Sequence, residues 1–333
     1  MNLANQILTE VKKAVVGKDE VLEKILMVIL SKGHILLEDI PGVGKTTIAV
    51  AFSKAMSLET RRIQFTVDVL PSDVVGFTSI DHETGKLRLH PGAVFCNIFL
   101  ADEINRTSSK TQAALLEVME EGNITVDGYT QKAKDPFCVI ATQNPFGSAG
   151  TQLLPESQLD RFMIRLSIGY PSLADEKDIL KRKSERDPML EVHAAASRED
   201  IIQMSKEVEQ VYVHEDILDY IVALIDATRH HTSILQGASP RASISLMQLS
   251  KANAYLLIEI MLCQRMYRIF FFDVIGHRVI MGTSASETKD VLMGILMKRN
   301  QKIEIKTDWH LPESVGCFCG WQLLYSTFTI KVI

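Results

Sequence analysis

The sequence predicts an α/β core, with a parallel sheet flanked by helices, over residues 1–171. A smaller all-α domain follows over 172–300, and a tail of unassigned structure over 301–333. Three observations carry this expectation. The apolar run Ile35-Leu36-Leu37 passes through a Pro-Gly-Val-Gly turn into an apolar helical segment from Lys45. That is the strand–turn–helix order of a parallel α/β unit. The run Ile98–Ala101 reads as an apolar strand and Phe137–Thr142 as another buried strand. Beyond Tyr170-Pro171-Ser172, from Asp175 to about Leu256, the pattern turns to helical spacing with no convincing strand.

Composition narrows the class. A chain of 333 residues suits two domains, and 46% hydrophobic with 23% charged residues is a globular rather than a disordered balance. A net charge of -5 argues against a general nucleic-acid surface, which needs a basic face, so no nucleic-acid partner is expected. Five scattered cysteines (Cys96, Cys138, Cys263, Cys317, Cys319) with no signal peptide ahead of them predict free thiols in a reducing, cytoplasmic setting. Cys317 and Cys319 lack partners at zinc spacing. The greasiest region, Ala254 to Ile275, is broken by Glu259, Gln264, Arg265 and Arg268, so no transmembrane segment is expected.

From the N-terminus, Asn2 to about Lys32 reads as two amphipathic helices broken at Val16-Gly17, with Leu3, Ile7, Val11 and then Val21, Ile25, Ile29 at helical spacing. The glycine turn follows the first strand. Gly42, Val43 and Gly44 let successive backbone N–H groups converge, and the helix beginning at Lys45-Thr46-Thr47 adds its N-terminal partial charge. Lys45 supplies a full charge for β/γ-phosphates, and the Thr46 hydroxyl can ligate Mg²⁺. The first glycine of the usual GxxxxGK[ST] pattern is Asp39 here. A loop that merely joins strand to helix is the plain alternative, but GK[ST] in that setting points to nucleotide binding. A helix break just before such a strand can then set Val16 and Gly17 against the adenine base; periodicity alone favours simple packing.

Arg61–Thr66 reads as a strand, and Leu70-Pro71-Ser72-Asp73 starts a short helix with Ser72 or Asp73 as its cap. His82–Lys86 reads as a hairpin turn with Leu87–His90 as its returning arm. The strand from Ile98 ends in Asp102-Glu103, where side chains of a parallel strand project into the ligand crevice. Asp102 would hold Mg²⁺ and Glu103 would orient or deprotonate the attacking water; a charged pair that merely ends a strand is the alternative. Thr111–Glu121 reads as a helix and Ile124–Gly128 as a hairpin. The next strand ends at Gln143-Asn144-Pro145, where an amide can reach a γ-phosphate or simply form the turn before proline. Arg161 follows a short helix; arginine can neutralise transition-state charge from a neighbouring subunit, but an isolated one is more often a surface ion pair. In Gly237–Ala242, Ser239 caps a helix whose first turn holds Pro240 and Arg241.

Taken together these residues resemble the AAA+ ATPases, and within them the MoxR family. The likeness rests on LLEDIPGVGKTT, FLADEINR with KTQAALLEVMEEG after it, VIATQNP, LPESQLDRF and GASPRAS, from Met1 to about Leu256, then DVIGHRV at 273–279. The resemblance implies Walker A at Lys45 and Thr46, Walker B at Asp102 and Glu103, and sensor 1 at Asn144. It also implies an arginine finger at Arg161 acting in trans, sensor 2 at Arg241 acting in cis, and a pore-facing helix-2 insert near Ile80–Leu89. ATP and Mg²⁺ would sit at the interfaces of a hexameric ring. Such proteins often act with a von Willebrand factor A domain partner, as chaperone-like remodellers that mature or activate a client protein. Asp39 at the first loop position is common in the family. A metal-chelatase motor subunit shares this motif order, and an adaptor that binds ATP without hydrolysing it is a further alternative; a DNA-directed helicase fits the acidic balance poorly.

The chain departs from the family where the lid usually continues with R-D-Y-V-x-P-E-D-V. Codons can be written for Ile258–Phe270 such that one T placed ahead of them reads YRDYVVPEDVQNI, the family motif. That predicts compensating frameshifts near Leu257 and within Phe270–Phe272, and a poorly soluble or mobile lid edge where proline and acids are lost. The tail from Trp309 resembles nothing familiar and is either an extension or another out-of-frame end. Resequencing the gene is the check on the frameshift: codons unrelated to those written remove it.

Overall fold

The computed structural model describes residues 2–40, 42–81, 83, 85–144, 154–257, 264–282 and 287–300. The tail over 301–333 and the runs 145–153 and 258–263 lie outside the described residues. Two helices, α1 (Leu3–Ala14) and α2 (Asp19–Leu30), precede the first strand. The Asn2 side chain accepts the Ala4 N–H to cap α1, and Asp19 and Glu20 in the first turn of α2 complement its dipole.

The core continues through β1 (Ile35–Glu38), α3 (Lys45–Ala55), β2 (Thr60–Gln64), α4 (Pro71–Val75), the hairpin of β3 (Gly76–Ile80) and β4 (Leu87–Pro91), and β5 (Ile98–Asp102). Then come α5 (Ser109–Glu121), a second hairpin of β6 (Asn123–Val126) and β7 (Tyr129–Lys132), β8 (Cys138–Gln143), α6 (Glu156–Leu159) and β9 (Ile164–Leu166). The cap of α4 differs from the expectation: the preceding residue is Leu70, and Asp73 reaches back from inside the first turn to accept the Leu70 N–H at 2.8 Å.

Five strands form one parallel sheet in the order β2-β5-β8-β1-β9. Side-chain alternation, with both faces covered, explains why its three central strands, β5, β8 and β1, are mostly apolar. Ile35 and Leu37 of β1, Ile98 and Leu100 of β5, and Cys138 and Ile140 of β8 enter one core with α1, α2 and α3. Leu36, Phe99, Ala101, Val139 and Ala141 point the other way, into a second core with α5.

The C-terminal region comprises α7 (Leu173–Glu185), α8 (Arg198–Glu209), α9 (Glu215–Arg229), α10 (Pro240–Leu257), α11 (Gln264–Ile275) and α12 (Thr288–Asn300). It is helical as expected, with one addition: β10 (Ile234–Gln236) pairs antiparallel with β11 (Ile280–Met281). Elements this short leave no periodic signal. Within α11, Phe270, Phe271, Val274 and Ile275 are buried in the main core, whereas Ile269, like Leu257 at the end of α10, is exposed. Lys24 of α2 pairs with Asp273 of α11 at 2.7 Å.

His34 fixes where β1 begins. Its Nδ1 accepts the Val139 N–H at 3.0 Å, so Nε2 carries the proton and donates to the Met119 carbonyl at 3.0 Å. Burial pushes its pKa down to about 4, against a smaller opposing effect of the Met119 carbonyl. A folded-state pKa below the unfolded value means that the unfolded chain binds the proton first. Stability is therefore complete above about pH 6.5 and lost as pH falls toward 4, on the order of 3 kcal/mol from this residue. His277, also buried and shifted down by burial, acts in the same direction. Urea unfolding from pH 7.5 to 4.5 should show this loss, and His34→Gln should flatten the curve while leaving the share due to His277.

Candidate functional site

Parallel register gathers the site. Gln64 lies opposite Asp102, Leu100 opposite Ile140, and Glu38 opposite Gln143, so β2, β5, β8 and β1 end together at one edge of the sheet. There the chain leaves β1 through Gly42 and Gly44, at φ 88° and 91°, a left-handed backbone that glycine tolerates. A side chain at either position would meet open space, because both border a cavity of about 310 Å³.

That cavity is lined by Gly42, Gly44, Lys45, Thr46 and Thr47 from the turn and the start of α3, by Asp102 and Glu103 from the end of β5, and by Asn144 beyond β8. These expected residues converge. Val43 does not line the cavity and packs against the main core. Burial pushes the half-buried Lys45 ammonium below the usual lysine range, and the carboxylates of Asp39, Asp102 and Glu103 oppose that shift. Lys45 Nζ donates to the Asp39 carbonyl at 2.7 Å.

Both acids are held by arginines. Asp102 Oδ2 accepts Arg62 Nε at 2.6 Å, while its Oδ1 accepts the Thr142 hydroxyl at 3.1 Å. Glu103 sits at φ 55°, strained for a residue with a side chain, and pairs with Arg106 at 2.6 Å. Its N–H donates to Thr142 Oγ1 at 2.9 Å. Alternation along β8 separates the amides: Thr142 and Asn144 face the cavity, whereas Gln143 turns away to Glu38 at 2.7 Å.

Arg62, Gln64 and Thr142 also line the cavity and were not anticipated from sequence. Their signal was positional, since alternation carries Arg62 and Gln64 to the same strand end as the acids. Asp39, the departure from the loop motif, has a structural task. Its buried carboxylate accepts the Ser167 hydroxyl at 3.1 Å, the Gly169 N–H at 3.2 Å and the Ile168 N–H. The same segment receives Lys18 Nζ at the carbonyls of Ile168 (2.7 Å) and Tyr170 (2.9 Å). Val16 and Gly17, expected against the base, do not line the cavity; they adjoin this tie, with Asp175 packed beside Gly17.

Arg161 and Arg241 are elsewhere. They line a second cavity of about 200 Å³ with Lys32, Gly33 and His34, the residues that precede β1, whereas Asp39 of the first cavity follows it. The four residues of β1 therefore lie between the two sites, about 13 Å at the usual strand rise. Arg241, expected to act in cis, thus lines a cavity at the opposite edge of the sheet from its own phosphate loop. As anticipated, Ser239 caps α10 by accepting the Arg241 N–H at 3.2 Å.

The donor set fits Mg²⁺: Thr46 and Asp102 offer hard oxygen ligands in one cavity, and Asp102 has the buried, hydrogen-bonded setting of an oriented ligand. Among the described residues no group of three or more His, Cys, Asp or Glu forms a separate metal cluster, and no helix is long and apolar enough to cross a membrane.

Comparison with known proteins agrees with this geometry. Residues 34–164 match the family described as ATPase family associated with various cellular activities (AAA). The chain is 46% identical over 254 residues to the uncharacterized protein YeaC of Bacillus subtilis, covering 76% of this chain and 79% of that one. It is 37% identical over 254 residues to Chaperone MoxR1 of Mycobacterium tuberculosis, covering 74% and 67%. A crystal structure from Cytophaga hutchinsonii, assigned there as an ATPase, superposes with a TM-score of 0.83 at 35% identity, covering 89% and 94% of the two chains. With the phosphate loop, the paired acids and these relatives together, the chain belongs to the MoxR family of AAA+ ATPases.

Proposed function

We propose that the chain hydrolyses ATP with Mg²⁺ in a ring of its own copies, expected to be hexameric, in the cytoplasm. The cycle would drive chaperone-like remodelling, maturation or activation of a client protein, with a von Willebrand factor A domain protein as partner. One observation carries the hydrolytic reading: Lys45, Thr46, Asp102, Glu103 and Asn144 converge on a single cavity from three separated stretches of sequence.

In this reading the turn N–H groups and Lys45 hold the phosphates, and Lys45 exchanges its bond to the Asp39 carbonyl for the β/γ-oxygens. Mg²⁺, held by Thr46 and Asp102, would neutralise charge developing on the phosphate oxygens. Glu103 leaves Arg106 to orient the attacking water, and Asn144 bonds the γ-phosphate or that water. Besides Lys45, the cavity's lining includes Arg62, which is paired with Asp102, so an in-line displacement needs further positive charge on the phosphate oxygens. Arg161 and Arg241, at the opposite edge of the sheet, supply it to an adjoining copy, which makes both arginines trans elements.

The pairing of Asp102 with Arg62 and Glu103 with Arg106 favours a second reading, an adaptor that binds ATP without turnover. Steady-state phosphate release separates the two. Lys45→Ala should abolish binding of a fluorescent ATP analogue, whereas Glu103→Gln should bind it normally and turn over on the order of a hundredfold slower; undiminished turnover in Glu103→Gln would refute its role. Arg161→Ala or Arg241→Ala should leave nucleotide binding intact and lower turnover of the assembled protein by on the order of 10³, measured as kcat against subunit concentration.

A further inference from the structure

We infer that Glu120, near the C-terminal end of α5, is a positioning residue that presents Arg161 and Arg241 as a pair to a neighbouring copy's nucleotide. The inference rests on the trans reading of those arginines. One carboxylate serves both: Glu120 Oε2 lies 2.9 Å from Arg161 Nε, and Oε1 meets Arg241 Nη2.

Among the described residues lining this cavity, no other acid takes this place. Asp160, the remaining carboxylate of the cavity, accepts the buried Arg278 at 2.8 Å and the Ser239 hydroxyl at 3.0 and 2.9 Å, and stands 4.0 Å from Arg241. Among the described residues Arg161 has Glu120 as its one ion-pair partner. The Arg161 contact is an ion pair at Nε without a hydrogen bond, which leaves its two terminal nitrogens for a planar, two-point contact with phosphate, whereas Arg241 is met at one terminal nitrogen. Without Glu120 the two like charges repel, and both long side chains regain their rotamers.

The location is otherwise unfavourable for an acid. The last turn of α5 carries no basic residue, so a carboxylate there opposes the helix dipole until arginines from the α6–β9 segment and α10 compensate it. The sequence showed Glu120 only as part of the EEG that ends a helix.

The test mixes full-length variants. Glu120→Ala should keep KM for ATP and lose on the order of tenfold to a hundredfold in kcat, as expected for misplaced catalytic groups. Mixed with Glu103→Gln, which has intact arginines but a disabled site of its own, it should exceed the summed activity of the two separate proteins. Arg161→Ala mixed with Glu103→Gln is the control. Recovery in the control without recovery for Glu120→Ala overturns the proposal and spares the trans reading; recovery in neither overturns both. Full activity of Glu120→Ala alone also overturns it. Should Glu120→Ala fail to assemble, Glu120→Gln, which keeps the shape and one acceptor, takes its place with a smaller loss and the same mixing outcomes.

Discussion

The parallel direction of the central sheet is the constraint on which the rest depends. Because β2, β5, β8, β1 and β9 run the same way, one edge collects every strand's carboxyl end and the other every amino end. The first edge receives the glycine turn, Asp102, Glu103 and Asn144; the second receives Arg161 and Arg241. An antiparallel sheet would scatter both sets across both edges. Burial on both faces enforces the arrangement, since shifting any strand by one residue would exchange the two cores that its alternating side chains fill.

Charge is balanced differently at the two edges. In the phosphate cavity the acids outnumber the one lysine, and Arg62 and Arg106 cover Asp102 and Glu103. At the other edge the arginines Arg161, Arg241 and Arg278 outnumber Glu120 and Asp160. Neither balance suits a triphosphate by itself. A nucleotide with its cation would add net negative charge at the first edge, and in the proposed ring the surplus at the second edge of an adjoining copy would answer it. That balance is in keeping with the ring proposed above.

Much of this was legible in the residues. The phosphate turn, the paired acids and the strand-end amide each combine a polar group with an apolar strand, and pattern reading finds that combination. The two hairpins and the start of α10 at Ser239-Pro240 were legible for the same reason. What escaped depends on the third dimension. Arg62 reaches Asp102 across strands 40 positions apart, and Glu120 reaches Arg241 from 121 away. The edge at which Arg241 emerges is set by how α10 packs on α2, which no local spacing encodes. The β10–β11 ribbon was missed because three residues against two give no period.

Asp39 shows why a departure from a motif can be consistent with its function. Glycine at that position would free the backbone and leave the turn tied to nothing beyond its own strand. The aspartate instead satisfies three donors of the segment 167–169, which leads directly into α7, and Lys18 grips the same segment from the other side. Its burial costs little because every bond goes to a fixed donor. The phosphate turn, the break between α1 and α2, and the entry to the helical region therefore share one set of hydrogen bonds. A displacement of the turn on nucleotide binding cannot remain local, since moving Asp39 either drags the segment before α7 with it or leaves a buried carboxylate without donors.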